Sequence, residues 1–169
     1  MKVYVGGRIF FVAAGLAVLV LALAFTRAAS QSDARSLSDD PTPPSRTVSA
    51  GGYHTCAVRT DGTLACWGSD GYGLATLPAG TFRQVSAGGY HNCGVRTDGT
   101  LACWGADGYG QTTPPAGTFS QVSAGGYHNC GVRIDGTLAC WGLDAYGQTD
   151  PPAGTFSQVS AGGYHNCGV

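Results

Sequence analysis

Residues 48–84 return almost unchanged as 85–121 and 122–158, and start a fourth time at Val159. The step is 37 residues each time, without insertion or deletion. Self-similarity at a fixed period of this length restricts a chain to an architecture made by stacking one small unit on the next. It also sets how single residues are read: one that every copy carries is first of all one that every copy needs to fold.

The unit cannot be helical. Only Gly6, Gly7 and Gly15 of the 28 glycines precede Val48, so the array is glycine-rich throughout, and each glycine costs about 1 kcal/mol in a helix interior. The pattern predicts an all-β array with three short strands per copy. Residues 118–124 (TFSQVSA) are β-branched and aromatic. His91–Arg96 and residues 100–104 flank a Thr97-Asp98-Gly99 turn, and 105–117 reads as a long surface loop rich in Gly, Pro, Asp and Thr.

Charge removes several partners. Residues 48–169 carry Arg59, Arg83, Arg96 and Arg133 against Asp61, Asp70, Asp98, Asp107, Asp135, Asp144 and Asp150. An acidic array without a basic stripe has nothing to neutralise phosphates, so no nucleic acid is expected as partner. Nor is there a polybasic attraction to anionic lipid.

The first 47 residues differ in kind. Lys2 and Arg8 precede 17 uncharged residues at 9–25, and Ala28 and Ser30 suit the −3 and −1 positions of a cut before Gln31. Residues 1–30 therefore read as an export signal, cleaved or retained as an anchor, since the apolar core sits at the lower limit for spanning a bilayer. Residues 31–47, with Pro41, Pro43 and Pro44, read as a disordered linker. The expected location is extracellular or in the cell envelope, with membrane contact only through 9–25 if the signal stays.

The cysteines follow the repeat as 56/66, 93/103 and 130/140, with Cys167 unmatched. A three-residue hairpin loop with Gly62 in the left-handed position sets Arg59 against Thr63, Val58 against Leu64 and Cys56 against Cys66. A two-residue loop would set Cys56 against Trp67 instead. In the first register the cysteines occupy a non-hydrogen-bonded pair with Cα atoms about 4.5 Å apart, within disulfide reach. For an exported chain the expectation is one disulfide per hairpin (Cys56–Cys66, Cys93–Cys103, Cys130–Cys140), each worth roughly 2–3 kcal/mol on the chain-entropy model. Zinc held by His-x-Cys and the distant Cys, or paired thiols, are the alternatives; the spacing lacks a Cys-x-x-Cys knuckle.

The run Gly-x-x-His-x-Cys-x-Val-x-x-Asp-Gly-Thr-Leu-x-Cys-Trp-Gly, followed by Tyr-Gly-Gln, is carried by His91, Cys93, Val95, Asp98, Gly99, Leu101, Cys103, Trp104, Gly105, Tyr109, Gly110 and Gln111. It resembles the regulator of chromosome condensation repeat, whose bacterial secreted members carry such a Cys pair. The short unit is similar to the three-stranded blades of β-lactamase inhibitory protein II-like propellers. Copies 54–74 and 128–148 match, except that Leu74 replaces the Gln. The resemblance spans 48–169 and implies a β-propeller, usually seven-bladed. Propellers run to about 4–8 blades, so three copies and the start of a fourth are expected to be a piece of a longer ring, or else blades assembled from several chains. The eukaryotic member is a nuclear guanine-nucleotide exchange factor that binds chromatin. An export signal and an acidic array without a basic tail leave exchange as a minority reading.

Within the array, His54, His91, His128 and His165 recur at one position; ligands so placed diverge, so no metal is expected, and the resemblance implies hydrogen-bonded structural histidines. Trp67, Trp104 and Trp141 either stack a ligand or fill the space between blades. Asp61, Asp98 and Asp135 are turn residues. Asp70, Asp107 and Asp144 lie in Gly-rich loops without the further acidic ligands calcium needs. No asymmetric nucleophile–base constellation stands apart from the repeat, so neither an enzyme nor a cofactor is expected. The copies differ most at 69–78, 106–115 and 143–152. Surface drift and a recognition surface explain this equally well; on the second, Tyr72, Tyr109 and Tyr146, with Asp70, Asp107 and Asp144, are the binding candidates. The expected function is a non-catalytic binding module for a protein or cell-surface glycan. The alternative is a scaffold for an effector domain beyond residue 169.

Overall fold

The computed structural model describes residues 4–5, 8–9 and 47–169. In the N-terminal unit, β1 (Tyr4–Val5) pairs antiparallel with β2 (Arg8–Ile9). The remainder of the export segment and residues 31–46 of the linker lie outside the described residues. Among those described, no helix is long and apolar enough to cross a membrane.

The array is a run of β-propeller blades. β3 (Val48–Ala50), β4 (His54–Val58) and β5 (Leu64–Gly68) form the first antiparallel sheet; β6 (Phe82–Ala87), β7 (His91–Arg96) and β8 (Leu101–Gly105) the second. β9 (Phe119–Ala124), β10 (His128–Arg133) and β11 (Leu138–Gly142) form the third, and β12 (Val159–Ala161) pairs with β13 (Asn166–Gly168) in a fourth. The second and third sheets begin three residues ahead of the 37-residue sequence frame, at Phe82 and Phe119, while the first and fourth begin on it, at Val48 and Val159.

The hairpin register is the three-residue one. Cys56 faces Cys66, Val58 faces Leu64, and the Arg59 N–H donates to the Thr63 carbonyl at 2.7 Å. Gly62 has φ +84°, a left-handed conformation that glycine adopts without a Cβ clash. Asp61 Oδ1 closes the turn by accepting from the Thr63 N–H at 2.9 Å and the Thr63 hydroxyl at 2.7 Å. Disulfides join Cys56–Cys66, Cys93–Cys103 and Cys130–Cys140, with Cα atoms 4.1 Å apart in each. Cys167 is free and exposed.

A three-stranded sheet of this size cannot bury its own faces, and the core lies between blades. Cys56, Val58 and Leu64 of the first blade pack with Phe82, Val85 and Trp104 of the second. Cys93 and Val95 of the second pack with Val122 and Trp141 of the third. Fully burying one such side chain contributes about 1.5–3 kcal/mol. Trp67 is 55% exposed, on a face of the first blade that no described blade covers.

Polar stitches join the innermost strands. The Gln84 amide bonds both backbone groups of Val122, accepting from N–H at 2.9 Å and donating to C=O at 3.0 Å. Ser86 Oγ accepts from the Ala124 N–H at 3.0 Å, and Gly89 N–H donates to Gly125 C=O at 3.0 Å. Gln121, Ser123 and Gly126 repeat this toward the next blade. These side chains satisfy an edge that would otherwise be open. A Cβ on Gly88 would stand 2.5 Å from Gly125 O, so the backbones meet there because no side chain intervenes.

Candidate binding surface

Each blade has two unlike ends. One carries the Asp-Gly hairpin turn. At the other, His54 pairs with Gly68 and the Ser69 N–H donates to the Tyr53 carbonyl at 3.0 Å, so the Gly51-Gly52-Tyr53 turn and the loop after Trp67-Gly68 leave side by side. Ala106 N–H to Tyr90 C=O, at 2.9 Å, and Leu143 N–H to Tyr127 C=O, at 3.0 Å, repeat the arrangement.

The loops at this end are built, not slack. Asp70 Oδ1 accepts from the Ala75 N–H at 2.8 Å, Asp107 Oδ1 from Thr112 N–H at 2.8 Å, and Asp144 Oδ1 from Thr149 N–H at 2.9 Å. Gln111 is buried and its Oε1 accepts from the Tyr109 N–H at 2.8 Å; Gln148 does the same for Tyr146 at 2.8 Å. The backbone carbonyl of the same loop residue accepts from the next blade. Gln111 C=O takes Asn129 Nδ2 at 2.9 Å and the Trp141 indole N–H at 3.1 Å. In the first loop Leu74 C=O takes Trp104 at 3.0 Å, while its side chain fills the buried site without an acceptor for Tyr72.

Held this way, the loop tyrosines stand on those of the Gly-Gly-Tyr turns. Tyr72 meets Tyr90 edge-to-face at 5.6 Å, Tyr109 meets Tyr127 at 5.7 Å, and Tyr146 meets Tyr164 at 5.5 Å. Along the turns, Tyr53 lies 6.0 Å from Tyr90, and Tyr90 stacks on Tyr127 at 5.3 Å with 26° between the rings. The neighbouring Tyr127 phenol raises the Tyr90 pKa above the ordinary tyrosine value. The result is an aromatic belt in which Tyr53, Tyr72, Tyr90, Tyr109 and Tyr127 are in contact and Tyr146 and Tyr164 form a further pair; Tyr53, Tyr72, Tyr109, Tyr146 and Tyr164 are all more than half exposed. The sequence candidates Tyr72 and Tyr109 are thus joined through partners that sequence reasoning did not single out, and Tyr146 has the equivalent partner in its own pair. Tyr53, Tyr90, Tyr127 and Tyr164 are identical in every copy, the pattern expected of a folding requirement. Tyr53 and Tyr164 are exposed, whereas Tyr90 and Tyr127 are half-buried among the neighbouring rings.

The charges divide between the two ends. Asp70, Asp107 and Asp144 are exposed in the belt loops. Arg59, Arg96 and Arg133 sit at the hairpin-turn end, where Arg96 and Arg133 lie over the Phe82 and Phe119 rings. Arg83, beside Phe82 at the same end, donates to the Phe119 carbonyl. No arginine of the array stands in the belt.

The other candidates resolve into structure. Trp104 and Trp141 are buried between blades with their indole N–H groups bonded, and so are not open platforms. His54, His91 and His128 each bond an Asn of the next blade, at 2.7, 2.8 and 2.8 Å. Among the described residues, no three His, Cys, Asp or Glu converge to hold a metal. The concave side lined by Gln84, Ser86, Gln121 and Ser123 has its polar atoms engaged between blades.

The family model described as the regulator of chromosome condensation (RCC1) repeat matches three times, over residues 46–74, 82–111 and 119–148. Among solved structures, the CRINKLY WD40 ectodomain of the Arabidopsis thaliana receptor kinase ACR4 is similar at 30% identity and TM-score 0.62, over 72% of this chain and 45% of that one. The ectodomain of the Physcomitrella patens receptor kinase CR4 is similar at 32% identity and TM-score 0.60, over 72% and 34%. Prp20p of Saccharomyces cerevisiae, a protein studied for its binding to Gsp1p and histones, matches in fold at 17% identity and TM-score 0.65, over 72% and 42%. The chain therefore spans less than half the length of each of these structures. No curated protein matches significantly.

Proposed function

The chain belongs to the regulator of chromosome condensation (RCC1) repeat family, and from that premise we propose that it is an exported, non-catalytic propeller module that binds a protein partner through its tyrosine belt. The observation that carries this is the belt itself. Five tyrosines are more than half exposed, three of them on loops closed by Asp and two of those loops further held by a buried Gln, and a surface of this kind is more than folding alone requires. Tyrosine supplies large contact area with few rotatable bonds and is enriched where interfaces concentrate their energy.

An extracellular setting is supported by the three disulfides and by the similarity to two receptor-kinase ectodomains. The non-catalytic reading is supported by the fate of the titratable groups. His54, His91 and His128 bond between blades, and the aspartates of the hairpin turns and belt loops close their own backbone, which commits these groups to structure. Nucleotide exchange by family analogy has only the Prp20p fold match behind it.

The test is site-specific photo-crosslinking in the cells that export the chain. A crosslinking side chain at Tyr109 is expected to give discrete protein adducts. The same group at Ile134, which is 63% exposed at the hairpin-turn end, is expected to give none. Adducts from both positions alike, or from neither, overturn the reading.

A further inference from the structure

We propose that the occupant of the tyrosine face is a cationic polypeptide segment, rich in Arg or Lys, seated against the loops that present an Asp and a Tyr once per blade; this rests on the binding role assigned above.

The make-up of this face favours a cation. Tyr90 has Tyr53 on one side and Tyr127 on the other, so its ring surface is largely occupied. The loop rings stand at 81°, 81° and 80° to the turn rings they touch. The surface is therefore corrugated and offers no flat row of ring faces for a sugar chain to lie on. Asp70, Asp107 and Asp144 come two residues before Tyr72, Tyr109 and Tyr146 in the same loops, and each uses Oδ1 on the backbone of its own loop. A carboxylate beside an exposed aromatic ring is the pairing that a guanidinium or ammonium group satisfies twice, by charge and by cation–π contact.

Charge over the whole array points the same way. All four arginines, Arg59, Arg83, Arg96 and Arg133, are away from this face and are engaged with backbone carbonyls or Phe rings. A cationic segment approaching the belt meets three carboxylates and no opposing cation. An acidic segment meets repulsion. His54, His91 and His128 beneath the face are buried, and burial holds His91 and His128 toward the neutral form, so these three do not offset the aspartates. Because the Asp and Tyr of this loop repeat with the blade, a segment with spaced cations engages several loops at once, which multiplies weak single contacts.

The experiment uses the full chain with its disulfides intact and a fluorescent oligoarginine peptide as probe. An oligoglutamate peptide and a neutral β-glucan oligosaccharide serve as comparators, and binding is read by anisotropy across a salt series. Oligoarginine is expected to bind and the comparators not, with affinity falling as salt rises. Tyr109→Ala is expected to weaken binding about tenfold while Tyr109→Phe retains it, since the ring rather than the hydroxyl makes the contact. Asp107→Asn is expected to cost roughly threefold and flatten the salt dependence. An Asn oxygen still accepts the Thr112 N–H, so that variant keeps the loop; unchanged melting temperature confirms it.

Equal losses from Asp98→Asn or Asp135→Asn, at the opposite end, overturn the proposal, because the peptide would then be reading net charge. Binding of the glucan in place of oligoarginine assigns the face to a glycan and overturns it too. If oligoarginine fails while Tyr109 still crosslinks a protein, the cationic occupant is wrong and the binding face stands. If Tyr109 gives no adduct either, both readings fall.

Discussion

His91 Nε2 stands 2.8 Å from Asn129 Oδ1 in the next blade, and this bond dictates the tautomer of the imidazole. Asn129 Nδ2 already donates to the Gln111 carbonyl at 2.9 Å, so the amide oxygen must face the ring and Nε2 must carry the proton. Nδ1 is then left bare, and it is buried without a partner, as are the Nδ1 atoms of His54 and His128. A second proton would have to enter at Nδ1, where no acceptor awaits it. Burial accordingly drives the His91 pKa from 6.5 down to about 4, against the smaller upward pull of Asn129, with His128 and His54 adding to the fall.

Stability should therefore decline through mildly acidic pH. The unfolded chain takes up the His91 proton below about 6.5, whereas the native one resists until about 4. The stabilisation is full above pH 6.5 and is lost as pH falls toward 4. His128 shifts in the same direction, again chiefly by burial. For His91 the depression corresponds to at most about 3 kcal/mol. The aspartates act in a separate window: Asp61, Asp98 and Asp135 are held below 3.8 by their Thr hydrogen bonds, so their contribution disappears only at more acidic pH. Urea unfolding at several pH values checks this, and a midpoint unchanged between pH 7 and pH 4.5 would contradict it.

The same repeat position should tolerate truncation very differently in different blades. Trp104 is 8% exposed, packs with Phe82 and Val85, and donates to the Leu74 carbonyl, whereas Trp67 is 55% exposed. Trp104→Ala is expected to cost about 3–5 kcal/mol, Trp67→Ala under about 1 kcal/mol. Thermal unfolding of the two variants separates them. Equal losses would mean that Trp67 has a covering partner in solution.

One small variation between copies has a packing cause. A Cβ on Gly94 or Gly131 would stand 2.7 Å from the Phe82 or Phe119 ring, while the first copy carries Ala57 at this position and Ser45 where the others have Phe. Gly94→Ala should destabilise by about 1–3 kcal/mol through overpacking. Adding Phe82→Ser should remove that clash, so the effect of Gly94→Ala measured in the Phe82→Ser background is expected to be near zero. A double-mutant cycle on unfolding free energy measures the difference, and simple additivity would refute the account.

The fold was largely legible because its determinants are local and repeated. The Asp-Gly turn sets the hairpin register, the register opposes Cys56 and Cys66, and both can be read within a dozen residues. The blade frame was less so, since a tandem repeat has no intrinsic starting point and the strand from Phe82 to Ala87 crosses the 37-residue boundary. The aromatic belt was half legible. Variation drew attention to Tyr72, Tyr109 and Tyr146, but Tyr53, Tyr90, Tyr127 and Tyr164 were masked by their identity across copies. The contacts that distinguish them arise at a separation of one blade, where sequence periodicity shows equivalence and not exposure. The role of Asp70, Asp107 and Asp144 in closing their own loops was hidden for a similar reason: a turn aspartate and a ligand-facing one look alike until the backbone partner five residues on is seen.

The Gln-to-Leu change at residue 74 makes the first belt loop the least restrained, and amide exchange should show it. Gln111 and Gln148 hold the Tyr109 and Tyr146 N–H groups at 2.8 Å from buried positions, while Leu74 fills the equivalent site with a side chain that cannot accept. The Tyr72 amide is expected to exchange faster than those of Tyr109 and Tyr146 by about an order of magnitude, the effect of one modest hydrogen bond. Gln111→Leu should bring Tyr109 to the Tyr72 rate, and Leu74→Gln should slow Tyr72. Global stability should move little in the second variant, because the Gln148 Nε2 is itself buried without a partner and a Gln at 74 would inherit that cost. Residue-resolved hydrogen exchange on the three proteins provides the test. Should Tyr72 be as protected as Tyr109, or Gln111→Leu leave Tyr109 unchanged, the buried glutamines are filling space and are not what orders the belt.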